Sequence, residues 1–120
     1  MIMDIKALSS YCLSKKSSIE DYPFGNDVLV VKVSSKMFAL INDNNNQLKI
    51  SLKCDPFIAD SLRQQYSSIT PGYHLNKNHW NTILIDGTIS EQELFEMIDH
   101  SYELVFKGLK KSEKDAINQQ

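Results

Sequence analysis

A chain of 120 residues, 42% hydrophobic and 23% charged, is long enough for one domain around a single core and leaves no room for a second. Its net charge of −2 and sequence pI near 5.9 give no global attraction to nucleic acid or to a membrane, so any such contact requires a local patch. No apolar run approaches the length of a bilayer span, no signal peptide is recognisable at the start, and Cys12 and Cys54 form no CxxC pair, which together point to a reducing cytoplasm and away from a membrane.

Asp4 precedes a helical pattern with Ile5, Leu8 and Cys12 on one face, and that pattern dissolves into the polar run Ser14-Lys15-Lys16-Ser17-Ser18. Tyr22-Pro23-Phe24-Gly25-Asn26-Asp27 reads as a turn. A strand over 28–33, the short connection Ser34-Ser35 and a partner strand over 36–41 form a hairpin. A second turn follows at Asn42-Asp43-Asn44-Asn45-Asn46. Residues 47–53 then alternate cleanly, with Leu48, Ile50 and Leu52 inward and Gln47, Lys49, Ser51 and Lys53 outward. Asp55-Pro56 starts a helix by placing a capping carboxylate before a proline at the first helical position, and Ile58, Ala59, Leu62 and Tyr66 are its expected buried stripe. A further strand over 80–86 ends at Asp86-Gly87. Ser90 and Glu93 form a capping box for the last helix, whose core face is Leu94, Met97, Ile98, Ser101, Tyr102 and Val105. Residues 1–110 are the expected single domain, and the polar tail over 111–120 is expected to fray.

This order of elements predicts an α+β two-layer sandwich, an antiparallel sheet of four to five strands with helices on one face. The ordered motifs Tyr22-Pro23-Phe24-Gly25, Lys36-Met37-Phe38-Ala39-Leu40, Ser51-Leu52-Lys53-Cys54-Asp55-Pro56, Leu62-Arg63, Pro71-Gly72-Tyr73-His74-Leu75-Asn76-Lys77 with His79-Trp80-Asn81, and His100-Ser101-Tyr102-Glu103-Leu104-Val105 resemble the MmcQ/YjbR family over about residues 5–110. Leu75 stands where the family more often has Met, a change that conserves volume. The resemblance implies a compact fold similar to frataxin or to type III secretion chaperones, and it brings the label of DNA-binding protein. It brings no catalytic residues and no cofactor, so a non-enzymatic module is expected.

The charge pattern is independent of that resemblance. Residues 28–53 carry Lys32, Lys36, Lys49 and Lys53 against Asp43, whereas residues 86–103 carry Asp86, Glu91, Glu93, Glu96, Asp99 and Glu103 with no lysine or arginine. A basic strand face of Lys32, Lys36, Lys49 and Lys53, with Lys77 nearby, can meet phosphates weakly and without reading sequence. The alternative is that lysines on an outward strand face are solubilising groups that keep strand edges from pairing.

The segment 71–81 is the other candidate, a ligand loop offering Tyr73, His74, Asn76, His79 and Trp80. Its structural alternative is a packed turn anchored by Trp80. His74, His79, His100 and Cys54 invite a metal, but no HExxH or CxxC spacing is present and no metal site is expected. Cys54 reads as a small packing residue, although the helix that follows it could lower its pKa. Finally, strand 28–33 is apolar on both faces, as is its neighbour. One sheet face is therefore either covered by loops or used as a surface for another protein or a second copy of the chain.

Overall fold

The computed structural model describes residues 3–72 and 75–120. Its chain order is α1 (Ile5–Leu13), β1 (Ser18–Asp21), β2 (Val28–Val33), β3 (Lys36–Asn44), β4 (Gln47–Lys53), α2 (Pro56–Gln65), β5 (Ile69–Pro71), β6 (Trp80–Leu84), α3 (Glu91–Lys107) and α4 (Lys111–Asn118). The strands form one antiparallel sheet in the order β1-β2-β3-β4-β6-β5. The fold is α+β, as expected, with six strands rather than four or five. The two additions are short edge strands. β1 occupies what reads as the end of a polar run, because pairing of Ser18–Asp21 with Val30–Val33 overrides weak local propensity.

Local chemistry explains most boundaries. Asp4 caps α1 by accepting from the Ala7 N–H, Asp55 caps α2 from Phe57 and Ile58, and Ser90 caps α3 from Glu93. The turn expected over 42–46 is tighter than its composition indicates. β3 runs on to Asn44, and Asn45 and Asn46 alone make the turn, at φ of 56° and 59°. Asparagine tolerates this left-handed region, and two such residues match the twist of a hairpin.

The helices lie against one face of the sheet. Leu29, Val31, Val33, Phe38, Ile41, Ile50, Leu52 and Ile83 meet Leu8, Cys12, Leu94, Ile98 and Val105 in one apolar cluster. A register shift between Val31 and Lys32 lets both Phe38 and Ala39 enter this core. The buried Ser101 hydroxyl donates to the Phe38 carbonyl at 2.6 Å and accepts from the Lys53 N–H at 2.9 Å, tying α3 to two strands where the sheet opens.

Two expectations need correction. The tail after Leu109 does not fray over 111–118. It forms α4, whose Ile117 joins the core and whose Glu113 accepts a hydrogen bond from Ser34 on the β2–β3 turn. One buried isoleucine in a polar helix was too sparse a pattern to read. In α2 the expected stripe holds at Ala59, Leu62 and Tyr66, but Ile58 is 46% exposed and its neighbour Phe57 is 88% exposed.

Candidate functional site

The face of the sheet turned away from the helices is a trough. Strand alternation places Val28, Val30, Leu40, Asn42, Lys49, Ser51, Trp80 and Thr82 on this side, because their neighbours Leu29, Val31, Ile41, Ile50 and Ile83 join the helix-side core. Phe24 from the β1–β2 loop walls one side, and Pro71 and Leu75 wall the other, enclosing a cavity of about 880 Å³. Among the described residues, Lys49 is the one charged residue in its lining. In the floor Val30 is fully buried, and Ser51 and Thr82 share a hydrogen bond of 2.8 Å across β4 and β6. The double-sided apolar character of β2 thus has its cause in Val30, which is buried on the face that α1 and α3 do not cover.

The five lysines expected to share a basic face do not form one patch. Lys32 is held by Asp21 across β1 and β2, Nζ to Oδ2 2.8 Å, and that ammonium pulls the Asp21 carboxyl below its ordinary pKa. The Lys77 ammonium turns back to the Gly72 carbonyl at 3.1 Å. Lys36 and Lys53 meet at the end of the sheet, where with Met37, Trp80, Val105 and Gly108 they line a hollow of about 280 Å³. Lys49 stands apart in the trough. Neither the Lys49 nor the Lys53 ammonium has a carboxylate partner among the described residues.

The loop before β6 is built as a scaffold. Arg63, the only arginine of the chain, reaches from α2 to clamp it: Nε donates to Asn81 Oδ1 at 2.7 Å, and Nη2 donates to the carbonyls of Lys77 and of Trp80, the latter at 3.2 Å. Asn81 is buried and donates in turn to the Ala59 carbonyl at 3.4 Å. Asn76 accepts from the Asn78 N–H through its side chain and from the His79 N–H through its carbonyl, forming the turn. Gly72 is required by close approach, since a Cβ there would stand 2.7 Å from the Trp80 Cβ. Trp80 is 8% exposed yet lies outside the helix-side core, on the trough side. His79 is exposed, and Tyr73 and His74, the remaining members of the expected ligand loop, lie outside the described residues. Sequence reasoning missed the arginine clamp, although a single arginine followed by an asparagine-rich loop was the available signal.

A crevice between α2 and α3 was also missed. It encloses about 210 Å³ and is lined by Leu52, Cys54, Ile58, Leu62, Ile83 and Met97, with Glu93, Glu96 and His100 among its polar groups. His100 Nε2 accepts from the Asp55 N–H at 3.3 Å. The Cys54 thiol is pushed up to about 11, chiefly by burial and next by the adjacent Asp55 carboxylate, so the following helix does not activate it. Burial drives Cys12 to about 12. No three His, Cys, Asp or Glu side chains converge as a metal site among the described residues. Among the same residues, no helix is long and apolar enough to cross a membrane.

The family model for YjbR matches residues 13–104 of this chain. The chain belongs to the YjbR family. An Escherichia coli K12 protein, YjbR, is 34% identical over 101 residues, covering 84% of this chain and 86% of its own length. Escherichia coli O157:H7 YbdF is 38% identical over 96 residues, covering 80% and 79%. The crystal structure of Deinococcus radiodurans protein DR2400 matches with a TM-score of 0.90 at 40% identity, over 98% of this chain and 89% of that one. A Pseudomonas syringae crystal structure gives 0.74 at 29% identity over 85% and 98%. The two Escherichia coli relatives are uncharacterised proteins, so membership in the YjbR family carries the architecture and leaves the activity to be argued from the trough, the lysines and the loop.

Proposed function

We propose that this YjbR-family chain is a non-enzymatic binding module whose open sheet side associates weakly with DNA through phosphates and without reading sequence. One observation carries this: strand register places Lys49 and Lys53 on the same side of β4, and neither ammonium has a carboxylate partner among the described residues. Ammonium groups without internal carboxylate partners displace counterions from a phosphate backbone, and their small number implies modest affinity. Base reading is not expected, because Arg63 is committed to the loop.

The test is fluorescence anisotropy of a labelled duplex against salt, with wild type and the Lys49→Glu, Lys53→Glu double variant. Each lost phosphate contact reduces the double-logarithmic slope by about 0.9. The variant should therefore bind more weakly and with a slope shallower by about two contacts. Unchanged affinity and slope would remove the lysines from the site.

A second function is supported by the trough itself. Apart from Lys49, its lining among the described residues is neutral, and Phe24 at its wall is 60% exposed. An apolar and amide-rich trough fits a protein segment better than a polyanion. Binding that ignores salt and is lost in Phe24→Ala would select this alternative.

A further inference from the structure

From the crevice between α2 and α3 we infer a second interaction surface, one that docks a basic amphipathic protein segment by taking an apolar side chain into the crevice and its lysines or arginines onto the carboxylates around it. This surface is distinct from the trough that holds Lys49 and shares only Lys53 with the residues on which DNA association rests.

Three features converge here. Phe57 and Ile58 open α2 at 88% and 46% exposure, adjacent large apolar side chains that the fold does not use. Beside them the crevice is walled by Ile58, Leu62 and Met97. Its volume, about 210 Å³, takes one large side chain and falls below the several hundred Å³ typical of a small-molecule pocket. The surrounding charge is predominantly negative, with Lys53 the one ammonium in the lining among the described residues. Glu93 and Glu96 line the crevice, Asp60 is exposed on α2, and α3 carries no lysine or arginine before Lys107. Glu93 is held in place by the Tyr66 hydroxyl, whose own pKa is raised by that hydrogen bond.

Charge decides between occupants. In a two-fold dimer through Phe57, each acidic rim would face its copy, and like charges at a desolvated contact oppose association. A partner with an apolar anchor flanked by basic residues meets the same rim with complementary charge, the pattern of an amphipathic helix in a groove.

The probe is a synthetic Leu/Lys amphipathic helical peptide, compared with a Leu/Glu peptide of the same pattern. Binding is mapped on the full chain by amide chemical shifts and quantified by anisotropy. The Leu/Lys peptide should shift amides of α2 and α3, and the Leu/Glu peptide should not. Phe57→Ala with Ile58→Ala, and separately Glu96→Lys, should each weaken binding by about tenfold or more, as loss of an interface anchor does. The Lys49→Glu variant, altered in the trough and outside the crevice, should bind the peptide as wild type does. Both helix variants alter exposed side chains, so a matching melting temperature separates lost binding from lost folding. Shifts confined to the trough, equal affinity in the helix variants, no binding of the Leu/Lys peptide, or a wild-type dimer that Phe57→Ala dissolves would each overturn the inference.

Discussion

The two faces of the one sheet are built from alternate residues of the same strands and have different chemistry. The helix side is a continuous apolar cluster in which the buried Ser101 bonds both strands it touches. The trough side mixes Val28, Val30 and Leu40 with Asn42, Lys49, Ser51 and Thr82. A core tolerates polar groups only where each finds a partner, whereas a surface that meets ligands needs apolar floor and polar groups together. The contrast says which side holds the fold together and which is available.

The largest expected difference comes from truncating one residue on each side of β3. Phe38 is fully buried, enters the core through the strand bulge and packs edge-on to Tyr102 with ring centroids 5.2 Å apart. Phe38→Ala should cost about 3–5 kcal/mol in urea melts, enough to unfold much of a small domain. Leu40 is half-buried in the trough, and Leu40→Ala should cost well under half as much. Equal losses would mean that the trough is as closed as the core.

Trp80 tests whether the trough side contributes to stability at all. Its ring is 8% exposed outside the main cluster, packed where Gly72 leaves room. Trp80→Ala should cost about 3 kcal/mol, the low end for a buried aromatic, because the adjoining loop can partly collapse. His79→Ala, at an exposed position of the same loop, should leave the melt unchanged. A Trp80→Ala protein as stable as wild type would make this loop a binding surface rather than a scaffold.

What could be read in the sequence follows from how local each determinant is. The caps of α1, α2 and α3, the alternation of β4 and the core face of α3 depend on neighbours within a turn or a strand, and all are written in adjacent residues. β1 and α4 are not, since each is held by a distant pairing, β1 by β2 and α4 by the burial of Ile117 and the bond to Ser34. The candidate site suffers the same limit more severely. Composition identified a lysine-rich strand segment, but whether a lysine is available depends on what lies across the sheet or beneath the loop. Asp21 opposite Lys32 and the Gly72 carbonyl beside Lys77 are invisible to spacing.

That difference between engaged and available lysines gives the smallest effect and the sharpest comparison. Lys32→Ala removes a partly exposed ion pair, and such pairs contribute little because water already solvates both charges. Its pH dependence has a definite sign. Asp21 is held below its ordinary carboxyl pKa first by the hydrogen bond from Lys32, so the pair's contribution is present above that ordinary value and is lost as pH falls through the lowered one. The small gap between wild-type and Lys32→Ala melting temperatures should accordingly be open at neutral pH and close in acid below the carboxylate range. DNA association provides the second reading of the same variant. Since the Lys32 ammonium already has Asp21 as its counterion, Lys32→Ala should leave the salt slope as it is, whereas Lys49→Glu with Lys53→Glu flattens it. If Lys32→Ala flattens the slope as well, phosphate competes successfully with Asp21, and the interface extends across the whole sheet to β1.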